Sequence, residues 1–197
     1  MKFDSPSMTP YTLFPDWVFD GKLELAEEQR RSLIQYVNGL PKIETHSGWT
    51  TKFAPMKDQI LTASNLVGNL FFQNVVSYFS LPDKLRDISV TDNQYTMVKP
   101  GHCVPAHVVR MRWYTGVLFL DGGKGGSNLY FDPMDKKMYA TPSPLIQEFT
   151  HFMEYKPLRL VFFPAHIPWG FTPNNSEMPS LFYTFSFHIT PQDQKKR

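Results

Sequence analysis

Six histidines hold most of the chemical potential of this 197-residue chain: His46, His102, His107, His151, His166 and His188. Imidazole can ligate a metal ion or move a proton near neutral pH without help from its surroundings. His102, His107 and His166 stand beside turn-forming residues at the ends of expected strands, where β-scaffolds mount such groups. Taken singly, each has a plainer reading as a loop imidazole that is solvated or held by one hydrogen bond. Taken together, with Asp92 or Asp121 as an oxygen donor, they would form a mixed nitrogen and oxygen site. Such a site requires the backbone to bulge or turn at Pro164 or Pro168 so that His166 enters. Cys103 next to His102 offers a soft ligand, but it is the single cysteine, so no disulfide framework and no multi-thiolate zinc site can form. Its plainer reading is a buried, inert thiol. Arg110 and Arg112 could anchor a carboxylate, yet strand alternation points them away from His107, toward a solvated or partner-facing edge.

The composition bounds what these residues can serve. Hydrophobic residues make up 42% of the chain and aromatic ones 15%, too much for disorder and enough for one domain with a real core. Seventeen Pro and seventeen Phe, with only 19% charged residues, tilt the balance toward a β-rich, turn-rich domain. A formal charge of +2 gives no broad electrostatic footprint for nucleic acid. The longest apolar stretch is interrupted by Arg159 and prolines, so a membrane span is not expected, and the first residues lack the apolar core of a signal peptide. A soluble, cytoplasmic single domain over residues 1–197 is the expectation, and the one cysteine fits a reducing compartment.

Helical spacing appears twice. Leu25, Ala26, Leu33, Ile34 and Val37 share a stripe over residues 22–38, with Asp20 as the expected cap and Gly39 and Pro41 as the stop. Ile60, Ala63, Val67, Leu70, Phe71, Val75 and Tyr78 repeat the pattern over residues 57–78. Between them, residues 46–51 read as a loop or short strand. After residue 88 the period changes to two. Lys99-Pro100-Gly101 is a turn signal, residues 108–120 an expected strand, and residues 158–163 another, with a short one near Phe149. Residues 181–189 alternate most clearly: Leu181, Tyr183, Phe185, Phe187 and Ile189 on one face, Phe182, Thr184, Ser186 and His188 on the other. Asp121-Gly122-Gly123-Lys124-Gly125-Gly126-Ser127 lies between strands and reads as a hairpin loop, since a phosphate loop would open a helix. The expected class is α+β: helices over residues 20–80, an antiparallel jelly roll over 88–190 and a polar tail over 191–197.

Several landmarks sharpen this class. They are Leu13-Phe14-Pro15 and Trp17-Val18-Phe19; Ser47-Gly48-Trp49; Asp92-Asn93-Gln94-Tyr95 with Lys99-Pro100-Gly101 and Val104-Pro105-Ala106-His107; Thr115-Gly116-Val117-Leu118-Phe119-Leu120; Gly126-Ser127-Asn128-Leu129-Tyr130-Phe131-Asp132-Pro133; and Leu160-Val161-Phe162-Phe163-Pro164 through Thr172-Pro173-Asn174. In these the chain resembles a family of 2-oxoglutarate/Fe(II) oxygenase-fold proteins of marine bacteria and cyanobacterial tailed phages, over residues 13–189. The resemblance implies a double-stranded β-helix, cupin-like, with N-terminal helices packed against it. It also implies an iron site of a His-x-Asp/His pair with one later histidine, and an arginine for the co-substrate carboxylate.

Residue by residue, those groups are missing. His107 matches the first ligand position, the second falls on Val109, and the distal histidine falls on Trp169. A valine has no donor atom, and indole carries an N–H but no lone pair for a metal. Where the resemblance places the arginine the sequence has Ser180, followed by Phe182 in place of a small hydroxyl residue. If His107 and Val109 point inward, unbroken alternation would send Met111, Trp113, Thr115, Val117 and Phe119 inward too, filling the site with apolar groups.

Three functions remain open on this basis. One is an oxygenase-fold protein that has lost its chemistry and serves a structural or binding role with protein partners or with itself, in a phage particle or its assembly if the phage resemblance holds; no cofactor is then expected. Another is an active Fe(II)/2-oxoglutarate-dependent dioxygenase with a ligand set rearranged around His102, His107 and His166. The third is a metal-free small-molecule or sugar binder with a pocket between Trp113, Trp169 and Tyr183.

Overall fold

The computed structural model describes residues 9–13, 16–51, 68–76, 87–109, 112–132 and 151–190. The chain enters as an antiparallel pair, β1 (Thr9–Leu13) and β2 (Asp16–Lys22), and continues into helix α1 (Glu27–Asn38). A hairpin follows, β3 (Lys42–Thr45) and β4 (Gly48–Thr51). Residues 68–71 are helical and run into a π-helical turn, Phe72–Val76. The remaining strands are β5 (Asp87–Val98), β6 (Val104–His107), β7 (Tyr114–Asp121), β8 (Leu129–Phe131), β9 (His151–Met153), β10 (Arg159–Pro164), β11 (Trp169–Phe171) and β12 (Ser180–Thr190).

The twelve strands among the described residues form two sheets. One has eight strands in the order β1-β2-β10-β7-β12-β5-β4-β3, the other four in the order β6-β11-β8-β9. From β5 onward the chain visits the sheets so that both are built jointly, which is the double-stranded β-helix. Two apolar layers result. Phe119, Phe131, Phe163, Trp169, Phe171 and Phe182 fill the space between the sheets. Leu181, Tyr183, Phe185 and Phe187 pack the outer face of the large sheet against Leu33, Val37, Leu70, Phe71 and Val75 of the helical segments. The alternation read along residues 181–187 is therefore the division between these layers.

Local chemistry sets the connections. His102 donates its N–H to the Lys99 carbonyl at 3.1 Å, with Pro100 and Gly101 between them and Gly101 at φ +75°, as a type II turn requires. Gly116 lies under the Phe185 ring, where an added Cβ would come within 2.1 Å of ring carbon. Part-buried charge pairs fasten neighbouring elements: Arg159 on β10 grips Asp20 on the adjacent β2 with two bonds of 2.8 and 2.6 Å. Arg30 of α1 reaches the Leu120 carbonyl at 3.0 Å and the Asp121 carboxylate at 2.7 Å on β7.

Four expectations are corrected. Helix α1 starts at Glu27, because Asp20 and Lys22 are taken by β2, whose register sets Lys22 opposite Arg159; Ala26 stands at the cap, and its N–H is accepted by Gln29 at 3.1 Å. The helical part expected over residues 20–80 also contains a hairpin, β3 with β4, in which β4 is the short strand read within residues 46–51 and β3 was not anticipated. The strand expected over 108–120 starts later: β6 ends at His107 in the small sheet and β7 begins only at Tyr114 in the large one. The glycine-rich stretch after β7 is a crossover to β8 in the other sheet and not a hairpin loop. Most of the second expected helix, the strand near Phe149 and the tail over 191–197 lie outside the described residues.

Candidate functional site

The positions to which the sequence directs attention meet on the small sheet. Antiparallel pairing of β6 with β11 sets His107 directly opposite Trp169, and β11 with β8 sets Trp169 opposite Phe131. The indole of Trp169 lies 4.4 Å from the His107 ring, centroid to centroid, tilted by 49°. Phe163 and Phe171 meet it edge-on at 5.7 and 5.6 Å. The residue is 2% exposed, and its Nε1–H is buried without a hydrogen-bond partner among the described residues. Val109 packs against the edge of the same apolar layer.

His107 itself is exposed, with Nδ1 3.2 Å from the Pro105 carbonyl. A carbonyl can only accept, so Nδ1 carries the proton and Nε2 of the neutral ring keeps the lone pair. Among the three positions that resemble an iron site, His107 alone offers a lone pair. Hydrocarbon from Val109 and an N–H donor from Trp169 stand at the other two, and this donor set does not fit Fe(II).

The start of β12 is packed as well. Ser180 is fully buried, and its Oγ accepts the Ser127 N–H at 3.0 Å, tying β12 to the crossover after β7. Phe182 stacks on Phe171 at 3.8 Å and 14°, and meets Phe119 edge-on at 5.3 Å. Each such aromatic pair adds about 0.5–1.5 kcal/mol beyond its buried area. Tyr155 closes this end. Its ring lies 5.9 Å from Phe119, and its Oη is buried without a partner among the described residues. Desolvation, with the Asp121 carboxylate second, pushes its phenol up to about 12 against an opposing pull from Arg30.

The rearranged set is not brought together. His102 donates Nδ1–H to the Pro100 carbonyl at 2.9 Å and faces His46, while His166 lies exposed in the turn before β11. Asp121 is taken by Arg30, and the side chain of Asp92 is outside the described residues. No three His, Cys, Asp or Glu among the described residues are placed to hold one ion. The imagined pocket between Trp113, Trp169 and Tyr183 is corrected as well. Trp113 is 52% exposed, because the break after β6 frees it from the alternation, and Tyr183 lies in the outer layer. Cys103 is exposed, not buried. Arg112 is half-buried and engaged, and Arg110 lies outside the described residues.

Asn174 served in the sequence as a landmark without a role; its buried amide donates to the Val98 carbonyl at 3.0 Å and the Met178 carbonyl at 2.8 Å. The signal was the Pro-Asn pair before the last strand, a usual place for side chain–backbone bonding.

No family model matches the sequence, and no curated protein matches it. Solved structures do match in shape. A prolyl-4-hydroxylase from Pseudomonas putida superposes with a TM-score of 0.59 at 18% identity, covering 88% of this chain and 92% of that one. An oxidoreductase of the 2OG-Fe(II) oxygenase family from Burkholderia pseudomallei gives 0.61 at 7% identity, over 85% and 82%. A viral collagen prolyl hydroxylase from Paramecium bursaria Chlorella virus-1, as its 2-oxoglutarate complex, gives 0.56 at 15% identity, over 87% and 96%. At such identities the likeness establishes the oxygenase fold. Among the described residues, no helix is long and apolar enough to cross a membrane.

Proposed function

We propose that this chain keeps the oxygenase fold as a packed scaffold, without Fe(II)/2-oxoglutarate chemistry, and serves a structural or binding role with protein partners or with itself. One observation carries the reading: the indole of Trp169 lies 4.4 Å from His107, where an iron centre would need a second imidazole. An indole there contributes a donor where a lone pair is required, and apolar area where water and oxygen would have to enter. The stacked Phe171 and Phe182 extend the same packing toward Ser180, at the place of the carboxylate-binding arginine. A cavity made of such groups gains stability from being filled, about 1.5–3 kcal/mol for each large apolar side chain buried. For the binding role the support is Trp113, more than half exposed in the connection after β6 and of a residue type that anchors protein contacts.

The alternative of an active dioxygenase draws on the solved neighbours, one of which holds 2-oxoglutarate. It needs His102, His107 and His166 on one ion, whereas His102 faces His46 and His107 faces Trp169. Incubation with Fe(II), ascorbate and 2-oxoglutarate separates the two readings. No succinate and no melting shift from 2-oxoglutarate is the expected result; succinate formation that disappears in His107→Ala would overturn the proposal. For the binding role, sedimentation of the full chain and of Trp113→Ser is compared. Loss of an oligomer or of a captured partner in the variant supports this surface, and unchanged assembly removes it.

A further inference from the structure

Away from the barrel interior, two imidazoles converge at the opposite end of β6. His46 sits in the turn between β3 and β4, and His102 closes the type II turn that leads into β6. Their ring centroids are 5.7 Å apart, with planes at 65°. Two imidazole nitrogens each about 2.1 Å from one ion place their centroids about 4.5–6.4 Å apart, for ligand angles from right-angled to linear. The observed separation falls inside that window.

The pair is also prepared for ligation. The Pro100 carbonyl accepts from Nδ1 of His102 at 2.9 Å, so Nε2 of the neutral ring keeps its lone pair. Histidines that bind metals ordinarily have their second nitrogen held this way, because it fixes both tautomer and ring orientation. The two turns are fastened to each other. Ser47 Oγ donates to the Cys103 carbonyl, and the Lys99 N–H donates to the Ser47 carbonyl at 2.9 Å. Asn174 completes the frame by donating its N–H to the His102 carbonyl at 2.9 Å. Lys99, in the same turn as His102, is offset by Glu44 at 3.7 Å.

We propose that His46 and His102 form a two-histidine surface site for a borderline transition-metal dication of the Zn²⁺ type, with solvent in the remaining positions. No third His, Cys, Asp or Glu among the described residues joins them, so the affinity belongs to the weak, micromolar class of partial sites. The site clips the β3–β4 turn to the start of β6. It is independent of the proposed loss of iron chemistry, since His107 stands at the far end of that strand.

Calorimetric titration of the full chain with Zn²⁺ alone tests it, at a pH where both imidazoles are neutral. The expected result is one equivalent bound with micromolar affinity and a raised melting temperature, both lost in His46→Ala and in His102→Ala. Both side chains are at the surface, so the variants should fold, and their metal-free melting verifies it. Cys103→Ser and His107→Ala should bind as the unaltered chain does. Zn²⁺ binding that survives both histidine variants, or that disappears only in Cys103→Ser, would overturn the proposal, as would no binding at all.

Discussion

Trp169→Ala tests whether the indole is a packed core residue or a lid over usable space. The side chain is 2% exposed and touches His107, Phe163 and Phe171. Truncating a buried Trp to Ala typically costs about 3–5 kcal/mol through lost transfer energy and an unfilled cavity. One term acts the other way: Nε1–H is buried without a partner among the described residues, and removing such a donor returns about 1 kcal/mol of desolvation cost. The net expectation is a loss of about 2–4 kcal/mol. For a chain of this size each kcal/mol lowers the melting temperature by about 2–4 °C, so the midpoint should fall by roughly 5–15 °C. Trp169→Phe should cost much less, because it keeps most of the ring and removes the orphaned donor. Chemical denaturation read by fluorescence and by circular dichroism gives the numbers. A loss under about 1 kcal/mol for Trp169→Ala would refute the reasoning, because it would mean the indole covers space the fold does not need filled.

Further outcomes follow from other contacts. Gly116→Ala drives a methyl group into the Phe185 ring, 2.1 Å from its nearest carbon, and should cost about 1–3 kcal/mol in denaturant titrations. Asn174→Ala removes the side-chain donor to the Val98 carbonyl and one of two donors to the Met178 carbonyl, which keeps the Ser176 hydroxyl, and should cost about 1–3 kcal/mol, measured the same way. Burial raises the Tyr155 phenol from 10.0 to about 12, and it raises Tyr95 further still. The folded state therefore holds these protons after the unfolded chain has released them. Stability is fully present below pH about 10 and falls as the pH rises from there. Tyr155→Phe should flatten part of that decline in pH-dependent melting, and an unchanged slope would contradict the assigned burial.

How far the sequence revealed this arrangement depended on whether a signal was local. Period-two alternation over residues 181–187 maps onto the two apolar layers, because both faces of β12 are buried and each selects aromatic residues. Gly101 and Gly116 could be read for the same reason: one supplies a positive φ and the other a close approach that any Cβ would block. The change of sheet between His107 and Tyr114 was hidden, since a stretch rich in aromatic and β-branched residues looks alike whether it stays in one sheet or crosses to another. That change exposes Trp113 and ends the register argument made through it. Charge pairs between distant segments left no local trace either. Asp20 looked like a helix cap, and only the antiparallel pairing of β2 with β10 brings it to Arg159. At the candidate site, the residue types at His107, Val109 and Trp169 were readable directly, but their contact is a matter of pairing between β6 and β11. His46 and His102 are far apart in sequence and meet only through the turns that flank β4 and β6.

Iron retention tests the central claim most directly. The chain carrying His46→Ala, which breaks the surface pair but leaves His102 available to the rearranged set, is incubated anaerobically with Fe(II), desalted and assayed for metal, with and without 2-oxoglutarate. The account predicts no retained iron and no effect of 2-oxoglutarate. Near-stoichiometric iron that 2-oxoglutarate strengthens and His107→Ala abolishes would contradict it, and would mean that the barrel assembles a working centre around His107 despite Val109 and Trp169.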